Sequence, residues 1–406
     1  MLEAGNTGIR MRVLLTTAVL VAAVAALAGP ARAAEPFTVK SDIAYAPQNE
    51  QRGSNLLDVY VPNRAAQGRR PVFVWIHGGG WFQGDKKSAT MAFKARTLVR
   101  AGFIFVSVNY RLSPDLDGPL ALTPGRVRFP TPHRDAARAL GWVSKHIAEY
   151  GGNANRMVIG GDSAGGQIAS LLATRPAFLD AQGVSTRQIR GVLSLDSIGF
   201  DVARMMTPAY RKISAGFQRM MFNAFGTPAE ERKAPAWDAA SPIRFADPAD
   251  PPFFHVVPTS SADRWVEAQK MSRLLRQRFD LISWRVDTNH PGVVPLLGNP
   301  AGDMGVTARA VRFVRAAVSP VIRSRVVVRG SRTVRAAGKS KFGILRLQIS
   351  SRPRARQVTC QLNGGRETLC PRSWKLRAGA HKLRITTYDD TGQARVSRLF
   401  PVKVLP

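Results

Sequence analysis

The sequence predicts an α/β protein built on a mostly parallel sheet, followed by a small all-β unit. Three observations carry that reading. Short apolar runs alternate with amphipathic stretches from about residue 70 to residue 318, the pattern then changes to short β-rich runs, and the positive charge thickens at the same place. With 406 residues, 45% hydrophobic and 21% charged, the chain can bury a large core, which excludes disorder over most of its length. The one long apolar run lies at the N-terminus, which excludes a polytopic membrane protein.

The first element is that apolar run. Val13 to Leu27 is Val, Leu and Ala apart from two Thr, follows Arg10 and Arg12, and leads through Gly29-Pro30 to Ala31-Arg32-Ala33. A positive flank, an apolar stretch of about 15 residues and small residues at alternate positions describe a cleaved secretory leader over residues 1–33. Met11 offers an alternative start. Export to the periplasm or the medium follows, with no spanning segment once the leader is removed.

Residues 34–320 form the α/β domain. Its strands are expected at Pro71–Ile76, Phe103–Val108, Met157–Gly160, Gly191–Leu195, Pro252–Val257 and Leu281–Val286, each a nearly unbroken apolar run of the kind a doubly covered parallel sheet requires. Helices are expected at Ala92–Arg100, Arg134–Tyr150, Gly166–Ala173, Val266–Arg278 and Thr307–Ala317. In such sheets the site forms at the carboxyl ends of the strands.

Residues 322–406 read as the β unit, with runs at Arg323–Arg329, Phe342–Ile349, Gln357–Leu362, His381–Thr387 and Ala394–Val404. Residues 321–406 carry a net +17, against +13 on the much longer stretch 34–320. An anionic surface polymer is the partner such charge would meet; a solvated basic face is the plainer explanation. Nucleic acid is disfavoured because the leader takes the chain out of the cytoplasm. The only cysteines, Cys360 and Cys370, are bound for an oxidising compartment and are expected to form a disulfide. No Cys/His cluster has metal-ligand spacing, so no metal is expected.

Two loops carry chemistry. After the strand ending at Gly160 comes Gly161-Asp162-Ser163-Ala164-Gly165-Gly166, then a helix. That order describes a nucleophile elbow: glycines on both sides let the backbone double back and lift the Ser163 hydroxyl to the top of the sheet. After the strand ending at Ile76 comes His77-Gly78-Gly79-Gly80-Trp81. Its glycines allow backbone N–H groups of Gly79 and Gly80, with that of Ala164, to surround an oxyanion. His77 reads as a brace. Phosphate binding, the other use of such glycines, lacks the GK[ST] that would follow.

These motifs, with Asn109-Tyr110-Arg111-Leu112, Phe129-Pro130, Asp135 and Tyr150-Gly151-Gly152, resemble the hormone-sensitive-lipase-like and kynurenine-formamidase-like carboxylesterases of the α/β-hydrolase fold over roughly residues 40–318. The resemblance implies hydrolysis of a small ester or amide without a cofactor. The tail, through Thr359 to Gly364, Leu369-Cys370, Ala378 to Leu383 and Tyr388 to Gly392, resembles bacterial immunoglobulin-like modules.

The triad order in this fold is serine, acid, histidine. Downstream of Ser163 stand His255, inside an apolar run, His381 in the tail, and His290, just after a strand; His290 is the expected base. For the acid, Asp263 is preferred because it follows the Pro252–Pro258 run and precedes a helix, although Thr259-Ser260-Ser261 stands where a glycine is usual. Asp196, directly after Leu195, is the alternative. The stretch Met205 to Phe225 is rich in Met and Phe where such folds carry a cap, and either lines an acyl pocket or packs as core. Leu116 to Arg128 reads as a loop at the entrance. Three readings remain: a serine carboxylesterase first, an amidase of arylformamidase type second, and an inactive hydrolase fold used for surface binding third.

Overall fold

A computed structural model describes residues 34–47, 50–208, 210, 214–319, 325–329, 333–335, 342–346, 348–352, 357–371 and 373–405. The leader, with its cleavage position and the Met11 start, lies outside the described residues, as does the expected domain boundary near residue 321.

The main sheet has eight strands: β1 (Phe37–Ala44), β2 (Leu56–Pro62), β3 (Arg70–Ile76), β4 (Ile104–Val108), β5 (Gly152–Asp162), β6 (Ile189–Leu195), β7 (Phe253–Pro258) and β8 (Ser283–Val286). Their spatial order is β1-β2-β4-β3-β5-β6-β7-β8. From β4 to β8 every pairing is parallel, while β1 and β2 join antiparallel at one edge. The carboxyl ends of β3, β5, β6, β7 and β8 therefore open on one side, and all the expected site residues follow those ends.

Alternation along the strands builds two cores. Val72, Val74 and Ile76 of β3 pack with Val106, Ile159 and Leu171 on one face, and Phe73 and Trp75 pack with Phe105, Val158 and Leu193 on the other. Helices α1 (Met91–Arg100), α2 (Thr131–His146), α3 (Ser163–Thr174), α4 (Ala215–Phe225), α5 (Pro228–Lys233), α6 (Ala262–Leu274) and α7 (Val306–Val318) surround the sheet. Leu140 and Val143 of α2 and Ile168 of α3 fill the first core, while Leu98 of α1 and Phe313 of α7 fill the second. This is the α/β-hydrolase arrangement. Leu281 and Ile282, expected at the start of the last strand, close a helical turn, Phe279–Ile282, and β8 begins at Ser283.

The tail is all β among its described residues. A long hairpin of strands Gly379–Tyr388 and Ala394–Leu405 is flanked by the strand Gln357–Leu362 on one side and by the parallel strand Thr333–Arg335 on the other. The expected run Phe342–Ile349 divides. Phe342–Arg346 pairs with Ser373–Arg377, and Gln348–Arg352 pairs with Arg325–Arg329. Leu345, Leu376, Leu383, Ile385, Val402 and Val404 make a small core beside the Cys360–Cys370 disulfide. The hairpin turn seats on the α/β part: Gln277 Nε2 donates to the Thr391 carbonyl at 2.7 Å, and the Arg278 N–H donates to that of Gly392 at 2.9 Å. No helix among the described residues is long and apolar enough to cross a membrane.

Candidate active site

Ser163 is the first residue of α3 and sits in the left-handed region at φ 50°, buried, immediately beyond β5. A non-glycine residue there is uncommon and signals a tightly constrained turn. The reason for Gly165 is visible: a Cβ on it would collide with the carbonyl oxygens of Ile76 and His77, because the elbow passes directly against the end of β3.

That end of β3 leads into the glycine loop. His77 is buried with its ring stacked on Tyr110 at 4.4 Å between centroids, and the Tyr110 hydroxyl donates to the His77 carbonyl at 2.9 Å. Burial lowers the His77 pKa, so the ring stays neutral and acts as the brace expected of it. Gly79, Gly80 and Trp81 all have positive φ, at 104°, 59° and 64°, and the N–H groups of Phe82 and Gln83 donate back to the Gly79 carbonyl at 3.1 and 3.0 Å. The loop is thereby wound into a tight turn beside the elbow. Asp162 ties the two together. Its carboxylate lies against Gly78, whose N–H it accepts, and its burial raises its pKa against the opposing effects of Lys94, that N–H and His290.

His290 follows β8 and opens a single helical turn capped by Asn289, whose Oδ1 accepts from the Gly292 N–H at 3.1 Å. Its Nδ1 lies 2.5 Å from Asp196 Oδ2. Asp196 is 1% exposed at the end of β6, with φ 44° and its N–H donating to the Val256 carbonyl at 2.6 Å. A buried carboxylate fixed by its own backbone and facing an imidazole nitrogen has the geometry that an acid–base pair requires.

Asp263, the preferred acid of the sequence reading, is not part of this arrangement. Its side chain is 59% exposed and its nearest cation is Arg204, 3.9 Å away. The turn Pro258–Ser261 is anchored to the following strand, Ser260 Oγ donating to the Thr288 carbonyl at 3.1 Å, and α6 begins at Ala262. Asp263 thus occupies the first helical turn, where a carboxylate suits the helix dipole but faces solvent. One residue on, a rotation of about 100° in a helix, Arg264 points inward. Its Nη1 contacts Asp196 Oδ2 and lies 2.7 Å from His290 Nδ1.

The other histidines lie elsewhere. His255 is buried in β7 between Phe200 and Phe253, and burial lowers its pKa to about 3; it is a neutral core residue. His381 lies in the hairpin strand Gly379–Tyr388 and bonds to Asn363 at 3.0 Å and to the Arg377 carbonyl at 2.8 Å. Among the described residues no group of three or more His, Cys, Asp or Glu stands together as a metal cage.

The Met- and Phe-rich stretch packs mainly as core. Met205, Met206, Met221 and Phe225 are buried in the core, Phe225 packing edge-on against Trp81 at 4.7 Å. Met220 instead hangs over the glycine loop: a Cβ on Gly80 would lie 2.6 Å from its sulfur. The loop 114–128 is clipped to the same helix α4, with the Leu122 N–H donating to Asn223 Oδ1 at 3.1 Å and Asn223 Nδ2 to the Pro114 carbonyl at 2.8 Å. Loop and helix form one cover beside the elbow.

The family profile described as BD-FAE matches residues 57–279, more than half of the chain, including the glycine loop, the elbow and Asp196. The chain belongs to the BD-FAE family. Among curated proteins this BD-FAE chain is 37% identical over 134 residues to Esterase LipQ of Mycobacterium tuberculosis (strain ATCC 25618 / H37Rv), covering 33% of the chain and 28% of the relative. It is 31% identical over 216 residues to the probable carboxylic ester hydrolase LipM of the same strain, covering 52% and 46%. The chain thus spans less than half the length of these relatives. A solved structure titled Bacterial Heroin Esterase matches with TM-score 0.52 and 21% identity over 75% of this BD-FAE chain and 91% of the other, which agrees with the fold.

Proposed function

We propose that the protein is an exported serine hydrolase that cleaves carboxylic esters through an acyl-enzyme. The observation that carries this reading is the hydrogen bond between His290 Nδ1 and the buried Asp196, at 2.5 Å, on the same side of the sheet as the Ser163 elbow. Matches to an esterase and to a probable carboxylic ester hydrolase support the bond type.

In this reading His290 holds its proton on Nδ1, donated to Asp196, which leaves Nε2 free to take the proton of the Ser163 hydroxyl as its oxygen attacks the ester carbonyl. The oxyanion is met by backbone N–H groups of Gly79, Gly80 and Ala164. Collapse expels the alcohol, protonated by His290, and leaves an ester on Ser163. Water, deprotonated by the same imidazole, then releases the acid. Met220 over Gly80 narrows the space for the acyl group, which favours small acyl chains.

The test is turnover of p-nitrophenyl esters of rising chain length, beside N-formyl-aromatic amines, by wild type and Ser163→Ala. Loss of a triad nucleophile costs on the order of 10⁶ in kcat. A fluorophosphonate should label wild type alone; equal labelling of both would end the reading. Preferential turnover of the formyl amines would favour an amidase. One observation favours the inactive reading: the Arg264 guanidinium also engages Asp196, and its Nη1, a donor 2.7 Å from His290 Nδ1, crowds the nitrogen that must carry the imidazole proton, so Arg264 competes with His290 for the carboxylate. Absence of labelling and turnover would support it. For the basic tail we propose attachment to an anionic surface polymer, supported by its net +17.

A further inference from the structure

A second cleft, of about 670 Å³, opens between the start of α2, the single-turn helix Ala177–Asp180 and the segment after α5. Its lining includes Arg128, Arg134, Arg138 and Arg175, with Phe129 and Phe178 among the apolar walls, and contains no carboxylate and none of the residues of the proposed triad. Its size is that of a site for a small organic molecule.

The charge in this cleft is not balanced from behind. Glu230 is gripped by both terminal nitrogens of Arg126 at 2.9 Å each, so its ion pair with Arg128, at 3.7 Å, is a second claim on one negative charge. Asp135 is likewise held by Arg111 through two bonds of 2.7 and 2.8 Å and is shared with Arg138 at 3.0 Å. Arg134 and Arg175 enter no ion pair with a carboxylate among the described residues. Six guanidinium groups thus share two carboxylates, and with Glu231 accepting from the Ala236 N–H at 2.7 Å beside the lining, about three positive charges remain in excess around one concave surface. Concavity focuses their field, and like charges held this close repel unless an anion joins them.

The guanidinium of Arg175 is also set in advance. It donates to the Ala239 carbonyl at 2.8 Å and lies over the rings of Phe178 and Phe245, at 5.3 and 5.0 Å from their centroids. A planar fork held in place and flanked by apolar walls suits a carboxylate or phosphate carried on an apolar body.

We propose that this cleft is a binding site for a small organic polyanion, separate from the Ser163 site and independent of the chemistry there. Titration calorimetry on the full chain at physiological ionic strength, with benzene-1,3,5-tricarboxylate and inositol hexakisphosphate as probes, tests it. At least one probe should bind saturably with one-to-one stoichiometry, and which of them binds assigns carboxylate or phosphate chemistry. Arg134→Gln/Arg138→Gln should weaken that binding about tenfold or more, the loss expected when two charged contacts go. Arg134→Gln alone changes only an exposed, unpaired side chain and keeps the fold, so it should weaken binding about threefold. A charge-matched control, Arg100→Gln/Arg273→Gln, alters exposed arginines outside the cleft and should stay within about twofold. No saturable binding of either probe, or equal weakening in the cleft and control variants, would overturn the site.

Discussion

Glu267 is fully buried in α6, and its closest cation, Arg204, is 3.8 Å away. Burial, reinforced by the charge of Asp201, raises its pKa from 4.5 to about 8. Between those two values the unfolded chain has lost this proton and the folded chain keeps it, so the folded form binds more protons and stability falls as pH rises. Glu267→Gln keeps the shape and removes the titration. Its melting temperature should exceed that of wild type at pH 8 and match it near pH 4.5; an unchanged difference at the two pH values would contradict the assignment. Ser163 and the glycines were legible in the sequence because only residues without a side chain fit against the Ile76 and His77 carbonyls. The choice between Asp263 and Asp196 depended on where α6 begins, and a shift of one residue swings a side chain by about 100°. Nothing in Thr259-Ser260-Ser261 sets that phase locally.

At the scale of elements, the central strands were readable because strands buried on both faces are unbroken apolar runs. The outer strand β1 was not, since most of Phe37–Ala44 is exposed and mixes Thr, Lys, Ser and Asp among its apolar residues. The cover over the site was legible only as composition. Its geometry depends on a tertiary clip, Asn223, which is 1% exposed and satisfies backbone groups of Leu122 and Pro114 from across the cover. Asn223→Ala leaves both without their partner, at about 1–3 kcal/mol each. The variant should melt several degrees lower and be cut faster by protease within residues 116–125. Wild-type melting and wild-type cleavage together would show that the loop is held by other means.

Across the whole molecule, the elbow, the glycine loop, Asp196 and His290 all lie within the α/β part, while the tail touches it through the Thr391–Gly392 turn at Gln277 and Arg278. That docking was invisible in the sequence, because two of its bonds are made by backbone carbonyls of the turn and the Tyr388 ring meets the Arg278 guanidinium, at 5.1 Å, only across the folded contact. Removing residues 322–406 should therefore leave kcat within a few-fold of wild type while lowering the melting temperature, as Gln277 and Ile282 lose their cover. Full-length protein should bind anionic vesicles at low salt and release as ionic strength rises, and the truncated protein should bind weakly; equal binding by both forms would remove adhesion from the tail's role. In the proposed reading, turnover depends on Asp196 orienting His290 to take the proton of Ser163. Its most direct measurement is kcat on a p-nitrophenyl ester for Asp196→Asn beside Asp263→Asn. An isosteric amide that loses the charge beside the imidazole costs about 10⁴ in kcat, so Asp196→Asn should fall by that order and Asp263→Asn should stay within a few-fold of wild type. The reverse ranking, in two folded variants, would contradict the account.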